Sequence, residues 1–498
     1  MLSLTVELLS GRSCELRVSE DLTAAQVAKL AAQHLDAPVS QLFAQSRALN
    51  SRQSLRQLGV QDGERLAGHC SQMRLLSGFE ALRSAGDAWF LAVPQAKDAF
   101  LLMQSDGSIS AWGGAACSEE FCERLHGITQ LGATPHGAFA SLQADGSVTT
   151  WGIAAAGGSK SHVQDQLQHV VAMQAAGSAF AALKGDGSVV CWGGRERKCN
   201  LGQDCSQVQE ELYEVRHLRA TESAFAALRA DGAVVCWGNS CEGGDCTRAG
   251  DLRNVVALRA TRRAFAAIKA DGSVATWGLV ECGGGSFLVQ DQLQDVVEVC
   301  ATAGAFAALK GDGSVVCWGD PAMGGRCEFE LTEVRSLSAS RGAFAALKRD
   351  GSVVAWGDGQ CGGLVPTEFS ARLKQVVELV PAALGFAART VHGQVVCWGE
   401  IVPNAEVTAT LTGVLEVRAN LGAFAALKED ETLVTWGKSE WGGDSSAVQH
   451  QLTRVVEVCA TAKAFAARTT EGVVVAWGAG THGGVQPRLI AQLQRNAG

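Results

Sequence analysis

The hydrophobic and polar positions of this chain repeat with a fixed spacing. Ten times, a Phe in an apolar segment is followed twelve residues later by a Trp-Gly pair, and successive Trp residues lie 38 to 45 residues apart. A period of this size predicts one supersecondary unit per repeat, each burying its apolar faces against its neighbours. The ten pairs, numbered below as repeats one to ten, are Phe100/Trp112, Phe139/Trp151, Phe180/Trp192, Phe225/Trp237, Phe265/Trp277, Phe306/Trp318, Phe344/Trp356, Phe386/Trp398, Phe424/Trp436 and Phe465/Trp477.

A polar turn separates the two aromatic residues of each pair. Residues 304–319 read GAFAALKGDGSVVCWG, and Asp-Gly between two apolar runs is a strong signal for a β-hairpin. The strand after the turn is apolar on both faces, so both faces must be covered. A further apolar run, such as residues 296–299, precedes the Phe, so we expect three short strands and a Gly-Gly loop per repeat. We interpret the recurring Asp as turn chemistry and not as a ring of metal ligands or catalytic carboxylates.

The aromatic residues are expected to be scaffold. Each buried side chain of this size contributes about 1.5–3 kcal/mol of transfer free energy. Ten pairs therefore contribute on the order of tens of kcal/mol against chain entropy. The structural repeat residues predicted in this way include Phe180, Trp192, Phe306, Trp318, Phe344 and Trp356.

Composition excludes several classes of protein. The 498 residues are 47 % hydrophobic and 19 % charged, which is not the composition of a disordered chain. The net charge of −9, with no compensating Lys/Arg run, argues against a nucleic-acid partner. No apolar stretch reaches the roughly 18 to 20 residues that span a bilayer, and the N-terminus alternates as a strand does. We therefore expect a protein of the cytoplasm and/or nucleus, without a membrane or nucleic-acid partner.

Neither the cysteines nor known motifs indicate a catalytic or metal site. The 17 Cys include no C-x-x-C, so neither a disulfide framework nor a zinc ribbon is expected. Cys191, Cys236, Cys317 and Cys397 directly precede a repeat Trp, where the other copies have Ala or Thr, so we interpret them as small buried residues. G-x-S-x-G, phosphate-binding-loop and H-E-x-x-H motifs are absent. No cofactor, metal ion or catalytic residue is predicted.

The first 70 residues lack the repeat and read as a separate domain. Alternating residues 2–9 and 14–18 around Ser10-Gly11-Arg12 predict a hairpin. Thr23 is placed as an N-cap before a helix at residues 24–35, and strands are expected near residues 42–44 and 66, separated by a loop at residues 55–60. This order, with the segments TVELLSGR, DLTAAQVAKLAAQ and SLRQLGVQDGERL, resembles ubiquitin and the ubiquitin-like domains. No Gly-Gly terminus follows, so the resemblance implies a fused recognition module.

The same resemblance implies a protein-binding patch. In that family the patch comes from the first turn, the third strand and the last strand, which correspond here to Leu9, Phe43 and His69. The alternative is that Phe43 packs in the core of the small domain. The partners implied are a ubiquitin receptor, a ligase or a proteasome component.

Residues 85–498 resemble the repeats of the regulator of chromosome condensation family, at DGSVVCWG and its variants. The resemblance implies a mainly β fold: a β-propeller-like array of ten repeats, joined by a linker at residues 71–84 to an α+β ubiquitin-like (β-grasp) domain. Ten copies exceed the four to eight blades of ordinary propellers. A large closed ring, a second partial ring and an open spiral all remain, and a strand at residues 89–93 is hypothesised to complete the last blade.

Three functions are compatible with these patterns. The first is a non-catalytic adaptor that links the ubiquitin or proteasome machinery to a second protein on the repeat surface. The second is a guanine-nucleotide exchange regulator of a small GTPase, as the founding member of the repeat family is, and the third is an enzyme with a hidden site. The sequence favours the adaptor. Binding is expected in the variable loops after each Trp-Gly, such as residues 195–198 and 321–323.

Overall fold

The structure is a computed structural model that describes most of the repeat region and part of the N-terminal region. Its contacts divide the chain into two compact units: the described strands up to residue 69 belong to the first and the sheets from residue 128 onward to the second. None of the helices in the described residues is long and apolar enough to cross a membrane. The described residues are 2–8, 13–19, 22, 27, 41–44, 47–48, 55–58, 60, 65–69, 74–77, 100–103, 109–112, 128–194, 202–370, 372–471 and 473–480.

The N-terminal unit contains one mixed five-stranded sheet. The strands lie in the order Ser13–Val18, Leu2–Leu8, Arg65–His69, Gln41–Ala44 and Arg47–Ala48. The first strand pairs antiparallel with the second, as the hairpin pattern predicts, and parallel with Arg65–His69. A short helix, Leu55–Leu58, stands where a loop was expected. Of the predicted helix at residues 24–35, only Val27 is described, and it is helical and buried.

Each repeat forms a three-stranded sheet, which confirms the predicted mainly β architecture with three strands per repeat. In repeats two to ten the strands pair antiparallel in chain order, and none of the described sheets closes on itself. The strands, from repeat one to repeat ten, are Arg74–Ser77, Phe100–Met103 and Ile109–Trp112; Ile128–Ala133, Ala138–Gln143 and Val148–Gly152; Val170–Ala175, Ala179–Lys184 and Val189–Gly193; Val215–Ala220, Ala224–Arg229 and Val234–Gly238; Val255–Ala260, Ala264–Lys269 and Val274–Gly278; Val296–Ala301, Ala305–Lys310 and Val315–Gly319; Val334–Ala339, Ala343–Lys348 and Val353–Gly357; Val376–Ala382, Gly385–Thr390 and Val395–Gly399; Val414–Ala419, Ala423–Lys428 and Leu433–Gly437; Val455–Ala460, Ala464–Thr469 and Val474–Gly478. Two further short helices, Thr367–Ser370 and Ala405–Thr410, lie in the loops of repeats seven and eight.

The middle strand of each of repeats three to nine contributes to two neighbouring cores. In repeat six, Phe306 and Ala308 pack with residues of repeat five, whereas Ala305, Ala307 and Leu309 pack with residues of repeat seven. Alternation along a strand sends these two sets to opposite faces of the sheet. Small alanines on one face leave room for the large aromatic pair of the next repeat. The core is therefore a series of apolar layers between successive sheets.

In seven repeats the aromatic pair rests on a glycine of the preceding repeat, called the seat glycine below. Phe306 and Trp318 lie opposite each other on adjacent strands and stack with ring centroids 5.3 Å apart. The Trp318 indole Nε1–H donates to the Gly283 carbonyl of repeat five at 3.0 Å. Gly283 has φ +94°, and a Cβ there would lie 2.6 Å from Phe306 Cδ2, so both the backbone conformation and the space require glycine. The same indole-to-glycine bond joins Trp192, Trp237, Trp277, Trp356, Trp398 and Trp477 to Gly157, Gly202, Gly243, Gly324, Gly362 and Gly442.

A buried hydroxyl holds the glycine-bearing loop in place. Thr302 Oγ1 donates to the Met323 carbonyl of the loop at 3.0 Å and accepts from the Ala305 N–H at 3.0 Å. Repeat eight has Ala382 at this position, and its loop carries the helix Ala405–Thr410 in place of Gly-Gly. Trp436 of repeat nine packs there against Ile401 and has no glycine carbonyl to bond. Repeat eight thus lacks both the hydroxyl that holds the loop and the glycine carbonyl that would accept the indole N–H of the next repeat.

The Asp-Gly turns shape the hairpins and also connect the repeats. The Asp312 carboxylate accepts from the Ser314 N–H at 2.8 Å and from the Ser314 hydroxyl at 2.6 Å, and these bonds lower the pKa of Asp312. Gly313 adopts φ +85°, and its carbonyl accepts from the Val334 N–H of repeat seven at 2.9 Å. The carboxylate is thus engaged in the turn. The segment hypothesised to complete the last blade, residues 89–93, lies outside the described residues.

Gly283→Ala is expected to destabilise the chain by at least about 2 kcal/mol, because it combines a positive φ with a clash against Phe306. Gly359→Ala is the matched control: Gly359 also lies in a loop after a Trp-Gly pair, but a Cβ there meets nothing within 4 Å. The urea midpoint should fall for the first variant and stay within error for the control. Equal midpoints for both variants would contradict the glycine seat.

Candidate functional site

A groove of about 1010 Å³ lies between the loops of repeats five and six. One wall is the repeat-five loop at residues 285–289, and the other is the repeat-six loop at residues 325–331. The floor is the third strand of repeat six, residues 314–319. Backbone of a sheet edge and apolar side chains therefore meet in one concave surface.

The groove is open because the repeat-six loop is short. From the seat glycine to the next buried leucine, repeat five has eleven residues, Gly283 to Leu293, and repeat six has eight, Gly324 to Leu331. In repeat five the additional residues form a short 3-10 helix, and Gln290 Nε2–H donates to the Val274 carbonyl at 2.9 Å. The shorter loop supplies no such glutamine for Val315, the equivalent residue of repeat six. Its third strand consequently lines the groove.

Three apolar side chains stand on the walls. Leu288 is 84 % exposed, Phe287 is 73 % exposed and Phe329 is 45 % exposed. The loop of repeat two has the same length as that of repeat five but carries Ser161 and His162 in place of Phe287 and Leu288. The framework of the loop thus does not require apolar residues at these two positions.

The exposed pair extends from a fixed anchor. Ser286 is buried, and its hydroxyl lies 2.9 Å from Thr276 Oγ1 on the third strand of repeat five. The same hydroxyl bonds Gln290 Oε1 at 2.7 Å. Because the residue before Phe287 is held on both sides, Phe287 and Leu288 are presented from a preorganised loop.

The charged residues that line the groove are mixed, with an acidic excess. Glu281, Glu328 and Glu330 line the groove together with Lys310 and Arg326. Burial raises the pKa of the Cys317 and Cys327 thiols, so both are protonated near neutral pH. Within the described residues, no group of three His, Cys, Asp or Glu side chains could hold a metal ion. The lining thus combines apolar side chains with charges of both signs.

The residues of the predicted ubiquitin-like patch are only partly described. Leu9 lies outside the described residues. Phe43 and His69 lie on the neighbouring strands Gln41–Ala44 and Arg65–His69, whose backbone pairing places Gln41 opposite His69 and Phe43 opposite Ala67. Whether these three residues form a binding patch stays a prediction.

The predicted structural repeat residues lie in the layers between sheets. Their three pairs are buried and stacked, with ring centroids 5.1, 5.3 and 5.3 Å apart for Phe180/Trp192, Phe306/Trp318 and Phe344/Trp356. Of the variable loops expected to bind partners, residues 195–198 lie outside the described residues and Pro321 lines the groove. The sequence patterns did not single out Phe287, Leu288 or Phe329. The contrast with the polar residues of the equal-length repeat-two loop is the signal that identifies the first two.

Comparisons with known proteins give only distant likenesses. No family model matches the chain, and no curated protein matches it significantly. Among solved structures, it is similar to yeast RCC1 (Prp20) in its complex with Kap60, at 16 % identity over 67 % of this chain and 84 % of that one, with a TM-score of 0.33. The CRINKLY WD40 ectodomain of the Arabidopsis thaliana receptor kinase ACR4 is 19 % identical over 61 % of this chain and 93 % of that one, with a TM-score of 0.29.

The N-terminal region has likenesses of its own. The ubiquitin-like domain of Plasmodium falciparum Dsk2 is 22 % identical over 14 % of this chain and 97 % of that one, with a TM-score of 0.13. Because the identities and TM-scores of these likenesses are low, function has to be inferred from the residues of the chain.

Replacing Phe287 by Ser together with Leu288 by His should leave stability unchanged within about 0.5 kcal/mol, because both side chains are exposed and an equal-length loop already carries these residues. The urea midpoint of the double variant measures this. A larger loss would show that the two side chains serve the fold rather than the surface of the groove.

Proposed function

We propose that this protein is a non-catalytic protein-interaction scaffold and that the groove between repeats five and six binds an extended segment of a partner protein. The observation that carries the proposal is the exposure of Phe287 and Leu288 beside the uncovered third strand of repeat six. Large exposed apolar side chains grouped at a concave surface are typical of binding sites.

An extended peptide fits the floor of the groove better than a helix does. The strand Val315–Gly319 is the outer strand of its sheet, so one side of its backbone has no partner strand within that sheet. A peptide can add to such an edge as a further strand, with main-chain hydrogen bonds giving affinity and alternate side chains giving specificity. In repeats three, five and nine a glutamine bonds a carbonyl of the third strand. Repeat six leaves this position to a partner.

The walls define the chemistry of the partner. Alternate side chains of an added strand point to the same face, so apolar residues at every second position would contact Phe287, Leu288 and Phe329. The groove lining has three glutamates but only one lysine and one arginine. This acidic excess favours basic residues at the flanks of the peptide. The proposed ligand is an extended segment with alternating apolar residues and flanking Lys or Arg.

The proposal extends to the whole chain as an adaptor. We assign residues 1–70 to a ubiquitin-like domain that docks a ubiquitin receptor, a ligase or a proteasome component through Leu9, Phe43 and His69. Residues 71–84 are assigned as linker apart from the strand Arg74–Ser77, which belongs to the sheet of repeat one. Residues 85–498 are assigned as the β-propeller-like repeat domain of a cytoplasmic and/or nuclear protein. The five-stranded sheet that joins the predicted hairpin to the later strands supports the first assignment.

Peptides selected from a random displayed library on the full-length chain should have alternating apolar residues and basic flanks. Phe287→Ser with Leu288→His should raise the Kd of a selected peptide at least about 10-fold, a loss of about 1.4 kcal/mol. Leu364→Ser is the matched control, because Leu364 is 71 % exposed on the loop of repeat seven but does not line the groove. Fluorescence anisotropy of the labelled peptide measures the three affinities.

Strand addition has a separate readout. N-methylation at alternate residues of the peptide keeps every side chain but removes the N–H groups on one side of the backbone. One of the two alternating methylation patterns should abolish binding and the other should be tolerated.

Peptides that bind the double variant as well as the wild type would reject the groove. If such a result came with accelerated nucleotide release from a small GTPase, it would favour the exchange-regulator alternative.

A further inference from the structure

Two positions face each other in the repeats: the residue before the Trp and one position in the loop that follows. In repeat five they are Thr276 and Ser286, and in repeat nine they are Thr435 and Ser445, with 2.9 Å between the hydroxyl oxygens in both. Repeat seven has Ala355 and Val365 at the equivalent places. The two positions thus match in chemistry: two hydroxyl side chains in repeats five and nine, and two apolar side chains in repeat seven.

In three repeats both positions are cysteine. The pairs are Cys191 with Cys205, Cys236 with Cys246, and Cys317 with Cys327 in repeats three, four and six. Cys191 and Cys205 are both buried in one apolar cluster. Their thiols interact there: burial and the Cys205 thiol raise the pKa of Cys191, and the Cys191 thiol lowers the pKa of Cys205. The thiols of Cys236 and Cys246 interact in the same way. Cys317 and Cys327 both line the groove described above.

The geometry points to three redox-convertible dithiols, each of which closes into a disulfide between the third strand and the loop of its own repeat. The hydroxyl oxygens at the equivalent positions of repeats five and nine lie 2.9 Å apart. Side chains at these two positions therefore meet, and a disulfide, with an S–S bond of about 2.05 Å, closes after a short approach of the two sulfurs. The proposed oxidant is a small-molecule disulfide. A protein thiolate attacks one of its sulfurs and expels a thiol, and the second protein thiol then attacks the mixed disulfide and expels the other. Two protein thiols become one disulfide, and one small disulfide becomes two small thiols.

The three pairs differ in reactivity. Cys246 is partly exposed, and the hydrogen bond from the Cys236 thiol lowers its pKa, so it is the attacking residue and Cys236 resolves the mixed disulfide. Cys191 and Cys205 are both buried, which hinders an oxidant. Burial raises the pKa of Cys317 and Cys327. The pair in repeat four should therefore oxidise first.

The position of the seat glycine gives the disulfides a structural consequence. Gly243, which accepts from the Trp277 indole, lies between Cys236 and Cys246 in the chain. Gly202 and Gly324 lie in the same way within the other two pairs. Oxidation would therefore form a covalent ring that contains the glycine whose carbonyl accepts the indole N–H of the next repeat. In a reducing compartment such disulfides are transient and report oxidation.

The test treats the reduced full-length chain with oxidised glutathione, blocks the remaining thiols and maps linked peptides by mass spectrometry. A peptide joining Cys236 to Cys246 should form first, and the oxidised chain should melt at a higher temperature than the reduced chain. Cys246→Ser should abolish this link, whereas Cys241→Ser should leave it, because Cys241 is exposed on the same loop and is not the residue that meets Cys236.

A variant with new cysteines tests whether the placement of these two positions is sufficient for a disulfide to form. Thr276→Cys with Ser286→Cys in repeat five should form a fourth internal link under the same conditions, and each single variant should not. The inference is overturned if Cys246 is recovered linked to Cys241 or to glutathione while Cys236 stays a free thiol. It is equally overturned if the double variant folds with an unchanged melting temperature in the reduced state but forms no new link.

Discussion

The contact between a tryptophan indole and a glycine carbonyl of the preceding repeat is the constraint on which the rest of the array depends. It fixes the stacked Phe/Trp pair of one repeat against the loop of another, as Trp318 is fixed against Gly283. The aromatic pair provides the apolar area, but the hydrogen bond and the absence of a Cβ determine where that area lies. Each sheet of repeats three to nine packs on both faces against a neighbouring repeat and is complete only when its neighbours are present, as expected of a repeat protein.

A framework held in this way leaves the loops free to differ. The loop of repeat five keeps its anchor at Ser286 and carries exposed apolar residues directly after it. The loop of repeat six keeps its seat glycine, Gly324, but lacks the residues that would cover its own third strand. The groove arises from these two local departures in adjacent repeats. The proposed binding surface therefore changes side chains and loop length without altering the inter-repeat contact.

The sequence predicted the repeat unit well because its signals are local. The Asp-Gly pair fixes a hairpin through the φ of Gly313, and twelve-residue spacing then places Phe306 opposite Trp318 on adjacent strands. The role of Gly283 could not be read in this way, because its partners lie in the next repeat. The facing cysteines were missed for a related reason: ten or fourteen residues separate them in the chain, and only the fold of the third strand and its loop brings these positions together. Phe287 and Leu288 become visible only when loops of equal length are compared across repeats.

Hydrogen-exchange mass spectrometry of Trp318→Phe tests the coupling between repeats most directly. The variant keeps an aromatic ring opposite Phe306 but removes the indole N–H. We expect faster exchange in the repeat-five loop around Gly283, in a different repeat from the substitution. Exchange that changes only within repeat six, or nowhere, would contradict the claim that the indole-glycine contact joins one repeat to the next.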